Sequence, residues 1–279
     1  MENSKLIVIV GPTASGKSEL AVKLAKRFNG EVVSADSRQV YKGMDIGTGK
    51  ITKKEMRGIP HYLLDVASPK KIFTVTQYKK LALQAINKIL KRNKVPILCG
   101  GTGFYIQAVI DGITIPEVKP DWKLRKKLEK KSTAELYQML QKLDPIRSKN
   151  IDKNNPRRLI RAIEIVMKTK KSIPALQKNP LLYSALMIGV KLSKNELQRR
   201  IQKRVDKMIR HGLEKEAKRF PMPIIGYQEW SSPNPKDLIV RHTLQYAKRQ
   251  MTWFKRDKRI KWIKNYKQAE KLTTKFLKK

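Results

Sequence analysis

The residues Gly11, Pro12, Thr13, Ala14, Ser15, Gly16, Lys17 and Ser18 fit the spacing G-x-x-x-x-G-K-[ST]. Glycines at the first and sixth positions permit a turn that points successive backbone N–H groups inward, so that anionic oxygens are cradled at a helix N-terminus. In such a loop Lys17 reaches the outer phosphate and the Ser18 hydroxyl sits on Mg²⁺. The motif implies a phosphate compound without naming the reaction. A second group with chemical potential is Asp36, which ends the apolar run 31–35 and is followed by Ser37 and Arg38. The carboxyl ends of strands border the ligand crevice of an open α/β sheet, so Asp36 is placed to face whatever the loop holds. An Asp at that point also serves as an ordinary turn residue. Thr102, in the run Gly100-Gly101-Thr102-Gly103, offers a hydroxyl where glycines let the backbone come close to a ligand. Basic candidates are Arg200 and Arg204, one helical turn apart, and Arg157, Arg158 and Arg161 behind Asn154, Asn155 and Pro156.

These groups need elements to hold them. Residues 6–10 are an apolar strand ahead of the loop, and 19–28 a helix behind it. Residues 39–50 carry three glycines without a period and read as a loop near the site. A helical face runs through 73–92, begun by Thr74 or Thr76, and 95–99 is a buried strand emptying into the glycine run, with a helix resuming over 104–110. From 113 to about 180 no strand is evident, and two helical stretches, 121–143 and 156–170, form a helical insertion. Residues 182–192 return to a strand. Next come an amphipathic helix over 194–211 stopped by Gly212, the segment 224–229, and a long basic helix over 241–255. The expected fold is α/β: a P-loop NTPase-like core with a parallel sheet flanked by helices, over 1–112 and 182–279, and a helical insertion domain over 113–181.

Composition narrows the function classes. Lysine and arginine number 63 against 23 acidic residues, a formal charge of +40, which favours a polyanionic partner such as nucleic acid. Lysines scattered over every solvated face are the plainer explanation. The single cysteine, Cys99, excludes an intramolecular disulfide and a cysteine-cluster metal site, and with no membrane span or leader evident the expected location is the cytoplasm. His61, His211 and His242 lack metal-ligand spacing, and no HxxxH, CxxC or Ser/His/Asp constellation is present. Trp253, Phe254 and Trp262 read as core or docking residues.

Taken together, GPTASGKS at 11–18, SADSRQVYKGMDIGTGK at 34–50, HYLLD at 61–65, GGTGFY at 100–105, NNPRRLIRAIE at 154–164, RIQKRVDKMIRHGLEKE at 200–216, IGYQE at 225–229 and AKRQMTWF at 247–254 resemble the tRNA dimethylallyltransferases, also called tRNA isopentenyltransferases. The resemblance implies transfer of a dimethylallyl group from dimethylallyl diphosphate to N6 of the adenosine just 3′ of the anticodon, with Mg²⁺ as cofactor. It implies that Asp36 faces the adenine and takes its proton, with Thr102 beside the reaction centre and Lys17 and Ser18 serving the diphosphate. Arg204, within the RIQKR match, is the candidate for a second diphosphate clamp, and Arg200 a weaker one. Ala35, Asp36, Ser37, Arg38, Thr102, Arg125, Arg157, Arg158, Arg161, Gly226 and Tyr227 correspond to tRNA-contacting positions, and the insertion would hold the anticodon stem-loop of a tRNA bound by a monomer. The chain departs from the pattern in a short link over 212–225, a brief Lys-rich tail after Trp262, and Ser at position 18 where the family often has Thr. Competing readings are a P-loop kinase of a small metabolite, a prenyltransferase acting on free AMP, and an RNA-binding protein with a vestigial P-loop.

Overall fold

Residues 6–10 are completely buried, as expected of a strand covered on both faces of a parallel sheet. In the computed structural model, which describes residues 4–114, 116, 118–173 and 183–278, they belong to β1 (Lys5–Val10). The sheet continues with β2 (Gly30–Ser34), β3 (His61–Tyr62), β4 (Val95–Gly100), β5 (Ser184–Val190) and β6 (Lys261–Ile263), in the order β3-β2-β4-β1-β5-β6 with all neighbours parallel. Val10 lies in register with Gly100 and with Gly189, and Ser34 with Cys99. The carboxyl ends of β1, β4 and β2 therefore emerge together along one edge. The strand order reverses at β1, the place where open α/β sheets bind ligands.

Alternation along β1 assigns its two faces. Leu6, Val8 and Val10 pack with Tyr78, Ile86 and Ile89 of a helix over Val75–Leu90 and with Ile106 and Ile110 of another over Gly103–Ile110. Ile7 and Ile9 pack with Leu20 and Leu24 of Lys17–Arg27 and with Ala269 of Tyr266–Lys278. In chain order the helices are α1 (Lys17–Arg27), α2 (Lys53–Met56), α3 (Val75–Leu90), α4 (Gly103–Ile110), α5 (Trp122–Leu128), α6 (Thr133–Leu143), α7 (Pro145–Lys149), α8 (Pro156–Thr169), α9 (Lys194–Arg210), α10 (Leu213–Arg219), α11 (Pro235–Phe254) and α12 (Tyr266–Lys278), with a 3₁₀ turn at Gln228–Ser231. A further cluster joins Val40 and Met44 of the glycine-bearing loop to Ile201 and Val205 of α9, Leu213 of α10, and Ile239 and Ala247 of α11.

Contacts divide the chain into two compact units, Met1–Asp111 with Pro180–Lys279, and Gly112–Asn179. The second unit is helical and has its own core of Leu128, Leu136, Leu140, Leu159 and Ile163. The expected junction at 181/182 and the expected strand start at Leu182 lie outside the described residues.

Several boundaries differ from expectation for local reasons. The helix expected over 121–143 is two helices, because Ser132 and Glu135 form a reciprocal capping box that restarts the chain as α6. The 241–255 helix begins earlier, at Pro235, whose missing N–H is harmless in a first turn. Thr74, not Thr76, caps α3, in a box with Gln77. No helix among the described residues is long and apolar enough to cross a membrane.

Candidate active site

Gly16 precedes α1 in a left-handed conformation (φ 89°) that glycine adopts without strain, and no side chain caps the helix. The first amides of α1 are therefore left for an outside acceptor, at the positive end of the helix dipole. Lys17 curls over the loop, its Nζ donating to the Pro12 carbonyl at 3.2 Å. Burial pushes its pKa down; the nearby Cys99 and Asp36 oppose that fall, and Arg204 adds to it. Ser18 is exposed at the first turn of α1, and the Ser15 hydroxyl is buried with no hydrogen-bond partner in the structure.

Asp36 leaves the end of β2 on a segment tied to β4. The Ala35 amide donates to the Cys99 carbonyl at 2.8 Å, and the Thr102 amide donates to the Ala35 carbonyl at 3.1 Å. Oδ1 of Asp36 accepts from the Arg38 amide at 2.9 Å and the Gln39 amide at 3.4 Å. Asp36 thus fills the turn role, and its charge favours the charged forms of Lys17 and Arg204. Thr102 Oγ1 accepts the Ser37 amide at 2.9 Å and lies 3.3 Å from the Ser37 hydroxyl. Beneath this segment Tyr78 donates to the Ser34 carbonyl at 3.1 Å and stacks on Tyr105. Cys99 is buried, its thiol pushed up to about 12 by that burial, so it is no nucleophile at neutral pH.

Helix α9 delivers both of its candidate arginines to the P-loop. Arg204 reaches Thr13 Oγ1 (3.4 Å) and the carbonyls of Thr48 (3.4 Å) and Gly49 (3.3 Å). Burial lowers its pKa, while Asp36 and Glu55 favour its charged form. Arg200 donates to the Ser15 carbonyl at 3.3 Å and to Glu196 at 2.6 Å. Lys17 and Arg204 thus bring two cations to the P-loop, and the charge of Asp36 favours the charged form of each.

Three supporting residues were not evident from the sequence. Gln250 of α11, 5% exposed, touches both the P-loop and the glycine run. Tyr246, one turn earlier, is largely buried, which pushes its phenol up, with the Asp36 charge acting the same way. Glu216 accepts the amides of Asp45, Ile46 and Gly47 at 2.8–2.9 Å and fixes the loop against which Arg204 lies. Gly226 and Tyr227 brace that arrangement from inside. Both are buried, the Tyr227 hydroxyl donates to Glu216 at 2.6 Å, and the Gly226 amide donates to Glu229 at 2.7 Å.

Within the helical unit the four candidate arginines, Arg125, Arg157, Arg158 and Arg161, divide into two kinds. Arg125 grips the buried Glu164 with Nε (2.9 Å) and Nη2 (2.7 Å), Arg161 binds the same carboxylate and the Val118 carbonyl, and the Asp121 amide donates to it at 2.6 Å. Burial alone would raise the Glu164 pKa; these donors overcome it and hold the group down at about 2. Arg157 and Arg158, at the capped start of α8, are exposed, and Arg158 has only a 3.8 Å approach to Asp152. Arg161 therefore braces the helix rather than extending the exposed pair.

A family profile described as IPP transferase matches residues 39–257. A protein of Halothermothrix orenii named tRNA dimethylallyltransferase is 42% identical over 99% of this chain and 94% of its own. One of the same name from Acetivibrio thermocellus is 42% identical over 92% of this chain and 91% of its own. Among solved structures, the full-length tRNA isopentenylpyrophosphate transferase of Bacillus halodurans superposes with a TM-score of 0.72 at 37% identity, covering 99% of this chain and 95% of its own. A eukaryotic dimethylallyltransferase acting on tRNA superposes at 0.77 with 31% identity, covering 90% of this chain and 70% of its own.

Proposed function

The chain belongs to the IPP transferase family, and from that membership we propose that it transfers the dimethylallyl group of dimethylallyl diphosphate to N6 of the tRNA adenosine immediately 3′ of the anticodon. N6 attacks C1 of the allylic chain, the C1–O bond breaks with its electron pair leaving on diphosphate, and the N6 proton passes to a carboxylate. Negative charge thus grows on the leaving group while positive character grows at C1. The observation that carries the reading is the convergence of Lys17 and Arg204 on the P-loop, with the segment bearing Asp36 tied to the end of the neighbouring strand β4. Lys17, Arg204 and the first amides of α1 bind the diphosphate end and stabilise it as it departs, a role fixed by prearranged dipoles and charges. Asp36 is the group that takes the N6 proton, held through Oδ1 in its turn.

Ser18 is the residue that would hold Mg²⁺. Its single hydroxyl is a donor that would suit an ion carrying water and substrate oxygens as its other ligands. When bound, the ion supplies further positive charge to the leaving group. The +40 charge and the exposed Arg157 and Arg158 support tRNA as acceptor, since phosphate contacts position a nucleic acid. A base in an anticodon loop is turned out at less cost than one in a duplex, which suits a site buried at a strand edge. We place the reaction in the cytoplasm, in keeping with the lone buried Cys99.

The decisive test is mass spectrometry of nucleosides from tRNA incubated with the protein, dimethylallyl diphosphate and Mg²⁺. Prenylated adenosine is expected. Its absence, or phosphoryl transfer from labelled ATP in its place, overturns the reading.

A further inference from the structure

Gln250 lies near the C-terminal end of α11, and its side-chain amide is buried. A buried amide needs partners on both of its ends, and both are present. Oε1 accepts the Thr13 amide of the P-loop at 2.8 Å, and Nε2 donates to the Gly101 carbonyl after β4 at 2.9 Å. The partners fix the orientation of the group, since a flipped amide loses both bonds. Gly101 leaves room for it: a Cβ there would stand 2.2 Å from Nε2 and 3.7 Å from Lys17 Cε.

Each contact continues into the reaction centre. The Thr13 hydroxyl is the group that Arg204 reaches, so one residue carries Gln250 on its backbone and a diphosphate clamp on its side chain. On the other side Gly101 is followed by Thr102, whose hydroxyl holds the Ser37 amide next to Asp36. The path Thr13, Gln250, Gly101, Thr102, Ser37 therefore joins the turn that grips the leaving group to the segment that presents the base.

We infer that Gln250 is a positioning residue that sets the distance between the anion-binding turn and the Asp36 segment. The inference rests on the proposed transfer reaction. An amide is the only side chain of this length that accepts from Thr13 and donates to Gly101 at once; a carboxylate keeps the first bond, loses the second and adds negative charge beside an anion site.

The test uses the full chain with Gln250→Met, Gln250→Glu and Gly101→Ala, the last displacing the amide from the opposite side. Inorganic diphosphate is titrated with Mg²⁺ by calorimetry, and kcat and both KM values are measured on tRNA. For Gln250→Met the expected result is about tenfold weaker diphosphate binding and a matching rise in donor KM, with a tRNA KM within about twofold of wild type. Gln250→Glu should be weaker still, and Gly101→Ala should give the same split even if Gln250→Met does not fold. Diphosphate binding unchanged in folded variants, or donor and tRNA KM rising together with a lowered melting temperature, overturns the inference. Diphosphate binding needs no turnover: a wild-type chain that binds diphosphate yet makes no prenylated tRNA refutes the proposed reaction, and the titration alone then decides whether Gln250 shapes the loop.

Discussion

The Thr102 hydroxyl accepts the Ser37 amide at 2.9 Å, a bond between the residue after β4's glycines and the residue after Asp36. It fastens the end of β4 to the end of β2, the segment that carries Asp36. Thr102→Val removes the acceptor while keeping the shape, leaving the Ser37 amide without it. Turnover should fall about tenfold, and Thr102→Ser should restore most of it. Steady-state kcat on tRNA for both variants checks this; equal losses in both would exclude a role for the hydroxyl.

Asp36→Ala should lower kcat by about 10²-fold, the usual contribution of a positioned base, with tRNA affinity nearly unchanged. Filter binding of tRNA alongside turnover separates the two effects. Turnover near wild type would remove Asp36 from the proton transfer.

Lys17 carries a pH signature. Burial lowers its pKa, so its ammonium is lost at a lower pH than that of an exposed lysine, although Asp36 opposes the change. The interaction with diphosphate is present below that lowered value and weakens as pH rises through it. Calorimetric diphosphate affinity should decline on the alkaline side, and Lys17→Arg should abolish the decline because a guanidinium does not titrate there. A wild-type profile flat up to the range of exposed lysines would contradict the assignment.

What the sequence made legible follows the range of the forces involved. The P-loop and Asp36 could be read because a turn and the strand before it are local. Arg200 and Arg204 could be read because helical periodicity puts them on one face. Gln250 could not, since its role comes from Gly101 and Thr13 across the chain, although the glycine run it needs was in view. The glycines of 39–50 likewise gain their reason only from distant residues: a Cβ at residue 47 would lie 2.2 Å from the Tyr227 ring, and one at residue 49 would lie 1.6 Å from Arg204 Nη2. Strands β3 and β6, with two and three residues, are too short to display a period. Arg161 and Glu164 sit at helical spacing and could have been paired on paper, but nothing local announces that Glu164 is fully buried.

Arg157 and Arg158 should act on tRNA as surface charges. Replacing both by Ala is expected to weaken tRNA affinity about evenly across sequences and to reduce the slope of log affinity against log salt by about 2. The melting temperature should hold. An unaltered salt slope would make the pair ordinary solvated surface.

Arg161 should behave in the opposite way, as a stability residue. Arg161→Ala leaves Glu164 buried with Arg125 as its remaining cation, and breaking a buried pair costs about 3 kcal/mol. Glu164 is depressed from 4.5 to about 2, so the stability it contributes is fully present above the ordinary carboxylate range and is lost as pH falls through about 2. In the wild type, urea denaturation should therefore show the helical unit weakening between those two values. In Glu164→Gln that acid-dependent part should vanish, and the variant should start less stable at neutral pH because Arg125 and Arg161 lose their counter-charge. An acid profile of Glu164→Gln that parallels the wild type would mean that other carboxylates govern the transition.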